Sequence, residues 1–299
     1  MYTPTKRNHI YMTQVKTTRD GKTILITGCS SGIGLCTAIG LQQRGYRVFA
    51  TARREDDLER LRAQGLEAIY LELGDSASIE AAVTTVLQQT DGRLDALFNN
   101  AAYGQPGAVE DLSRAALRAQ FEANLFGTHE LICRLLPVMR RQGYGRIINN
   151  SSVLGFVALP FRGAYTASKF ALEGLTDTLR LELAGSGIHV SLIEPGPITS
   201  RFRDNAYAMY QRNIDGEHSV HRASYEGMER RLQKPGPAAP FTLPPEAVLK
   251  HVIDALENPR PRVRYYVTFP TWLFATLRHF LSYRAMDRLL GRVSRGENR

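Results

Sequence analysis

Tyr165 and Lys169 stand four residues apart, at the head of a helical pattern that runs from Ala164 to Leu183. Residues at i and i+4 share a helix face, so the ammonium lies near the phenol. A nearby cation favours the phenolate and pulls a tyrosine below its ordinary value of about 10, which makes Tyr165 a candidate acid/base. Spacing alone is weak evidence, because Tyr2-Thr-Pro-Thr-Lys6 repeats it in a polar N-terminal stretch. Composition supplies a second argument: the chain has 32 arginines and only six lysines, so a cation without special duty would be an arginine. A compact, titratable ammonium suits hydroxyl binding and proton tuning better than a guanidinium does. Ser152 lies thirteen residues before Tyr165, just beyond a strand, where its hydroxyl can hold the oxygen that exchanges a proton with Tyr165.

A second constellation lies near the start of the chain. Thr27-Gly28-Cys29-Ser30-Ser31-Gly32-Ile33-Gly34 joins the β-branched run Lys22–Thr27 to a helical pattern over Ile33–Gln43. Between a strand and a helix, such glycines let the backbone approach a pyrophosphate, and the helix N-terminus offers unpaired N–H groups and partial positive charge. The reading is a dinucleotide site, against the alternative of a plain tight turn. The next strand ends in Thr51-Ala52-Arg53-Arg54, where an NAD site would place a carboxylate for the ribose hydroxyls. A guanidinium binds a 2′-phosphate and stacks on adenine, so Arg53 points to NADP(H). The alternative leaves both arginines solvated, with Glu55 or Asp56 taking the ribose. Asn99 and Asn100 follow the fourth strand, and Asn124 interrupts helical patterning, where an interior Asn implies a specific polar contact.

The elements that must hold these groups alternate regularly. Strands are expected at 22–27, 47–51, 66–71, 94–98, 146–149 and 188–193. Helices are expected at 33–43, 55–64, 76–89, 112–141 and 164–183. Such alternation means right-handed βαβ units: an α/β, doubly wound, Rossmann-type parallel sheet with ligands outside the carboxyl ends of its strands. Residues 1–21 read as a loose arm, with Met12 a second candidate start. Residues 22–268 form one domain, and residues 196–243 show no stable period and read as a substrate lid. Helix returns at 244–256, a last strand is expected at 264–268, and 269–299 form a basic, amphipathic extension with one helix over 272–290.

The body has no electrostatic footprint for nucleic acid. Of the formal net charge of +9, residues 1–22 hold five basic and one acidic residue, and 258–299 hold nine arginines against Asp287 and Glu297. Residues 23–257 are therefore slightly acidic, and the basic ends are left to an anionic membrane or an acidic partner. Cys29, Cys36 and Cys133 have no metal spacing and fit a reduced cytoplasmic protein. Cys29 is read as a small packed residue, although a helix N-terminus can activate a thiol. His218-Ser-Val-His221 lacks a third ligand and reads as solvated, so no metal is expected. No signal-peptide run is present, and the apolar stretch 265–281 is too interrupted to span a bilayer.

Taken together, five ordered motifs resemble the short-chain dehydrogenase/reductase family over residues 22 to about 268. They are the TGxxxGxG loop, Asn99-Asn100-Ala101, the helical Asn124, Ser152 with the Tyr165/Lys169 pair, and Glu194-Pro-Gly-Pro-Ile198. The resemblance implies a catalytic tetrad of Asn124, Ser152, Tyr165 and Lys169. In it the nicotinamide exchanges a hydride, Tyr165 handles the proton, Ser152 positions the carbonyl, Lys169 binds ribose, and Asn124 holds a water of the proton relay. It implies cofactor contacts from Gly28, Ser30, Ser31, Gly32, Ile33, Gly34, Arg53, Leu73, Asn100, Ala101, Pro195, Gly196, Ile198 and Ser200, together with Tyr165 and Lys169. Three positions depart from the family pattern: Ala102 replaces a usual Gly, Glu72 stands where an Asp commonly lies near adenine, and Ser200 replaces a Thr. Within the family the chain looks most like bacterial NADP-dependent aldehyde reductases, and secondarily like retinol and hydroxysteroid dehydrogenases. This implies an apolar carbonyl substrate against Ser152, Tyr165, Tyr103, Phe156 and Phe161, with Phe202, Tyr207 and Tyr210 beside the site or in the lid. It also implies a homo-oligomer. A non-catalytic redox sensor is the contrasting reading, and retention of all four tetrad residues weighs against it.

Overall fold

The structure, a computed structural model, describes residues 21–297. The expected N-terminal arm lies outside the described residues except for Gly21. Seven parallel strands form one sheet in the order β3-β2-β1-β4-β5-β6-β7: β1 (Thr23–Ile26), β2 (Arg47–Ala52), β3 (Glu67–Tyr70), β4 (Ala96–Asn99), β5 (Gly145–Asn150), β6 (Ile188–Glu194) and β7 (Arg264–Tyr266). The order reverses between β1 and β4, where Leu25 pairs with Leu97, and the strand ends part there to leave a crevice.

Alternation along each strand feeds two apolar layers. Ile24 and Ile26 of β1 join a core with α1 (Gly32–Gln42), α2 (Glu55–Ala63) and α9 (Glu246–Glu257). Leu25 points the other way, into a core with α3 (Ser76–Gln89) and α5 (Gly127–Gln142), and Leu179 of α6 (Gly163–Glu182) packs against that layer. Asp75 caps α3 by accepting from the Ala77 N–H at 3.0 Å, and Gly143 closes α5 in the left-handed region at φ +65°.

Three expectations are corrected. The helix expected over 112–141 is α4 (Arg114–Phe121), then a π-helical turn over Glu122–Phe126, then α5. A π turn adds one residue per hydrogen-bonded ring, so no 3.6-residue period reveals it. Residues 196–243 are not aperiodic: they contain α7 (Phe202–Asn213) and α8 (Arg222–Gln233). Ala206 and Tyr210 of α7 pack against Tyr225, Met228 and Leu232 of α8 in a small core of their own. Each such side chain contributes roughly 1.5 to 3 kcal/mol when fully buried, enough to order a segment whose remaining faces are polar. The helix expected over 272–290 is broken into α10 (Phe269–Leu277) and α11 (Tyr283–Glu297), with Ser282 accepting from the Ala285 N–H to start the second. Both pack onto Leu154, Phe156 and Val157 after β5, through Ala275, Met286 and Leu290. Among the described residues, no helix is long and apolar enough to cross a membrane.

Candidate active site

A cleft of about 2070 Å³ runs along the carboxyl ends of the strands, from Arg53 past the glycine loop to Tyr165 and on to the 196–243 segment and the C-terminal helices. Every residue expected at the site lines it except Gly34, Asn124 and Phe156.

The glycine loop is shaped by close approaches that side chains would forbid. Gly28 (φ +73°) and Gly32 (φ +56°) lie in the left-handed region, and a Cβ on them would stand 2.8 Å from Ala101 Cα and from Ser200 Cβ. A Cβ on Gly34 would meet the Gly28 carbonyl at 2.2 Å and Asn100 Nδ2 at 2.7 Å; Gly34 thus shapes the loop from behind the wall. Thr27 Oγ1 accepts from the Asn100 and Ala101 N–H groups at 2.9 Å each. The Asn100 amide donates to the Thr27 and Gly28 carbonyls at 3.0 and 3.1 Å, and itself accepts from Asn150 Nδ2 at 3.0 Å. Its side chain therefore fixes the loop to β4 and β5. The turn is a bare backbone cradle at a helix N-terminus, which suits a pyrophosphate.

At one end of the cleft Arg53 Nη1 pairs with Glu72 Oε2 at 3.2 Å, and the arginine is well exposed. Glu72, the departure noted above, turns its other oxygen to the Gly74 N–H at 3.1 Å. Gly127 lets the helix after the π turn approach the same region, since a Cβ there would stand 2.0 Å from the Leu73 carbonyl.

At the other end the first turn of α6 delivers Tyr165, Ser168 and Lys169. The Tyr165 hydroxyl hydrogen-bonds to Ser152, which sits where β5 gives way to a short 3-10 turn. The expected lowering of the Tyr165 pKa is corrected: burial pushes it up to about 12, and the Ser152 hydrogen bond only offsets this. The physical reason is where the lysine stands. Lys169 Nζ is 5.7 Å from the Tyr165 ring centroid and donates to the Asn150 carbonyl at 2.7 Å. Burial in turn drives Lys169 down to about 8, opposed by the charge of Glu173.

Asn124 is fully buried in the π turn. It accepts from the Tyr103 N–H at 3.1 Å and donates to the Tyr103 carbonyl at 3.0 Å and to Ser168 at 3.2 Å. Its amide holds the Tyr103 backbone from behind the cleft wall. Tyr103 lines the cleft within electrostatic reach of Arg53 and Arg212. Phe161, at φ +63°, presents its ring edge-on to His221 and Tyr225, both at 5.6 Å, and so joins the cleft wall to the 196–243 segment. Phe202 meets the Tyr165 ring edge-on at 5.3 Å. Tyr207 and Tyr210 belong to α7 in the 196–243 segment, stacked at 6.5 Å.

Phe156 is a correction. It is buried on the far side of the 153–157 turn, edge-on to Tyr266 at 6.1 Å and under Arg278 at 5.6 Å, and packs against the C-terminal helices instead of the cleft. Cys29 is fully buried and pushed up to about 12 by burial, the packed residue its position suggests. His218 pairs with Asp215 at 2.8 Å and His221 with Glu110 at 2.5 Å.

Sequence reasoning left Leu273 and Phe274 between packing on the core or a second subunit and membrane contact or a substrate entrance, and missed the rest of the C-terminal share of the cleft, Phe269, Leu290 and Val293. It also missed Glu173 and Arg264 beneath Lys169. The apolar period of 286–293 was a usable signal for the first; nothing local marks the second.

A family model described as short chain dehydrogenase matches residues 22–211. The chain is 44% identical over 269 residues to an uncharacterized oxidoreductase, YbbO, of Escherichia coli, covering 90% of this chain and 94% of that one. It is 38% identical over 259 residues to human 17-beta-hydroxysteroid dehydrogenase type 1, covering 82% and 77%. A short-chain dehydrogenase/reductase of Burkholderia phymatum, solved in complex with NAD, superposes with a TM-score of 0.72 at 27% identity, covering 91% and 95%. The chain belongs to the short-chain dehydrogenase family: it is an oxidoreductase of CH–OH and C=O groups on a nucleotide-binding Rossmann-type sheet.

Proposed function

We propose that the protein is an NADP(H)-dependent reductase of apolar carbonyl compounds, aldehydes foremost. The observation that carries this reading is the Tyr165 hydroxyl, hydrogen-bonded to Ser152 in the same cleft that holds the glycine cradle and Arg53. A bound nicotinamide cofactor supplies the hydride. Gly28, Ser30, Ser31, Gly32 and Ile33 present backbone to its pyrophosphate, Arg53 turns from Glu72 toward a 2′-phosphate, and Asn100 keeps the cradle in shape. Leu73, Ala101, Pro195, Gly196, Ile198 and Ser200 complete its walls.

Ser152 orients the substrate oxygen, and Tyr165 Oη gives it a proton. A phenol held near 12 stays protonated at neutral pH, which suits the reducing direction. Lys169, 5.7 Å from the Tyr165 ring centroid and bonded to the Asn150 carbonyl, is placed to bind the ribose of the cofactor. Asn124 holds Tyr103, and Tyr103 and Phe161 face the apolar substrate under the lid formed by 196–243.

The test is NADPH oxidation at 340 nm against aliphatic, aromatic, retinoid and steroid carbonyls, repeated with NADH. Turnover favouring NADPH is expected, with Tyr165→Phe reducing it about 10²–10⁴-fold while NADPH binding persists. Binding without turnover on any carbonyl would favour the redox sensor. Turnover unchanged in Tyr165→Phe would remove the residue from its role.

A second reading, a retinoid or steroid enzyme at the cytoplasmic face of a membrane, is favoured by the rim of the cleft. Phe241 and Phe269 line the cleft, pack at 5.2 Å and remain more than half exposed. Exposed Trp272, Phe280 and Tyr283 follow Phe269 along the chain. Arg284, Arg288, Arg292 and Arg295 are exposed on the face of α11 opposite buried Met286 and Leu290. Assembly as a homo-oligomer is supported by exposed Leu117, Phe126 and Phe170 on α4, the π turn and α6, elements that pack together; light scattering tests it.

A further inference from the structure

One helical turn beyond Lys169, Glu173 reaches across to β7. Its Oε2 accepts from Arg264 Nη1, and so does Oε1 of Glu194, which closes β6. Glu194 is fully buried and Glu173 nearly so. Each keeps one buried oxygen without a donor, Oε1 on Glu173 and Oε2 on Glu194. A Cβ on Gly155 would stand 2.7 Å from that Glu173 oxygen, and 2.5 Å from the Ser151 hydroxyl, which also lacks a partner. Asp177 takes the second Arg264 nitrogen at 2.6 Å and is shared with Arg180 at 2.5 Å.

Two buried carboxylates crowded on one guanidinium nitrogen repel each other, and neither can find donors for its remaining oxygen. A single proton answers both difficulties, turning one carboxyl into a donor for the other. The two carboxyls lie within hydrogen-bonding reach, and burial with repulsion from Glu173 pushes Glu194 above the ordinary carboxylate range. Glu173 has Lys169 on its own helix as well as Arg264, so the negative charge is better placed there.

We propose that Glu173 and Glu194 share one proton against Arg264, and that the charge left on Glu173 makes it the positioning residue that keeps Lys169 an ammonium. The titratable and charged groups facing this pair are Lys169, Asp177 and Arg180 from α6, Arg264 and Tyr266 from β7, and Arg278 after α10. Glu173 touches neither the cleft nor a reacting atom. Its consequence for turnover rests on the reductase reading, whereas the charge on Lys169 does not.

The experiment labels lysine at Cε with ¹³C and follows the six lysine signals with pH, the Lys169 signal being the one missing from Lys169→Arg. In the parent its midpoint is expected at about 8. In Glu173→Gln it falls by about one pH unit, the effect of one charge a helical turn away. It stays with the parent in Glu173→Asp, which keeps the charge, and in Glu194→Gln, whose amide donates as the shared proton does. In the reductase assay the alkaline limb of Glu173→Gln moves down by the same amount. An unchanged Lys169 midpoint in Glu173→Gln overturns the proposal, and so does an equal fall in Glu194→Gln. Parent protein labelled at the glutamate carboxyls needs no variant: one signal must titrate far above the others, and its absence overturns the shared proton. Loss of turnover on every carbonyl, with the titrations as stated, counts against the reductase reading alone.

Discussion

Lys169 is held against its own solvation. Its ammonium is 2% exposed, and burial lowers it from 10.5 to about 8. Below about 8 the folded and unfolded chains both carry this charge, and the folded one bears the desolvation cost. Between about 8 and 10.5 the unfolded chain binds a proton that the folded chain releases, so the contribution of Lys169 to stability rises with pH across that window. Lys169→Met is expected to raise unfolding free energy at neutral pH by about 2 kcal/mol, since a shift of this size corresponds to about 3 and a hydrogen bond to Asn150 is lost. The gain should fade above pH 8, and turnover should be lost; urea denaturation at several pH values checks it, and destabilisation throughout would contradict it. Ser152, Tyr165 and Lys169 were legible as neighbours in the cleft because Tyr165 and Lys169 share one turn and Ser152 follows closely on a readable strand. The acids behind it were not, because Arg264 meets Glu173 across 91 residues and Glu194 across 70, distances that only the finished sheet closes. The direction of the Tyr165 shift failed for a related reason: burial, invisible in a motif, raises the phenol, while the Lys169 ammonium is engaged with the Asn150 carbonyl.

Elements were legible in proportion to the apolar area each one buries. β1 to β6 and α1 to α3 emerge from patterning within a residue or two, because the central strands are buried on both faces and carry short β-branched or apolar runs. α7 and α8 escaped notice because they bury few large side chains among arginines, Tyr210 on α7 and Tyr225, Met228 and Leu232 on α8, although the last three do keep helical spacing. The tightest element junction is the glycine loop. Gly34→Ala would push a methyl to 2.2 Å from the Gly28 carbonyl, and neither backbone can yield without pulling the cradle from Asn100. The expected outcome is loss of nucleotide affinity of at least tenfold by fluorescence titration, with far-ultraviolet circular dichroism retained. Unchanged affinity would show that the cradle is more compliant than these contacts allow.

At the scale of the molecule, charge and apolar exposure are distributed unevenly. The arginine face of α11 follows in sequence on the exposed aromatics Phe269 and Trp272 of α10, and Phe241 of the 196–243 segment packs on Phe269. Vesicles containing phosphatidylglycerol should sediment the protein at low salt, vesicles of phosphatidylcholine should not, and added salt should release it. Charge reversal at Arg284, Arg288, Arg292 and Arg295 should abolish binding while leaving turnover of a water-soluble aldehyde intact; sedimentation independent of lipid charge would count against an electrostatic contact. The 196–243 segment is built differently. Ile198 and Leu243 form a parallel bridge where the segment leaves and returns, with the Leu243 N–H donating to the Pro197 carbonyl at 3.1 Å and the Thr199 N–H to the Leu243 carbonyl at 3.0 Å. The two ends of a 44-residue excursion are thus stapled together at a single point beside the cleft, and much of its apolar packing is its own. Such a segment is an exchangeable cartridge: tied at one point, it is built to be lengthened, shortened or replaced, reshaping one wall of the cleft while the sheet beneath keeps its geometry.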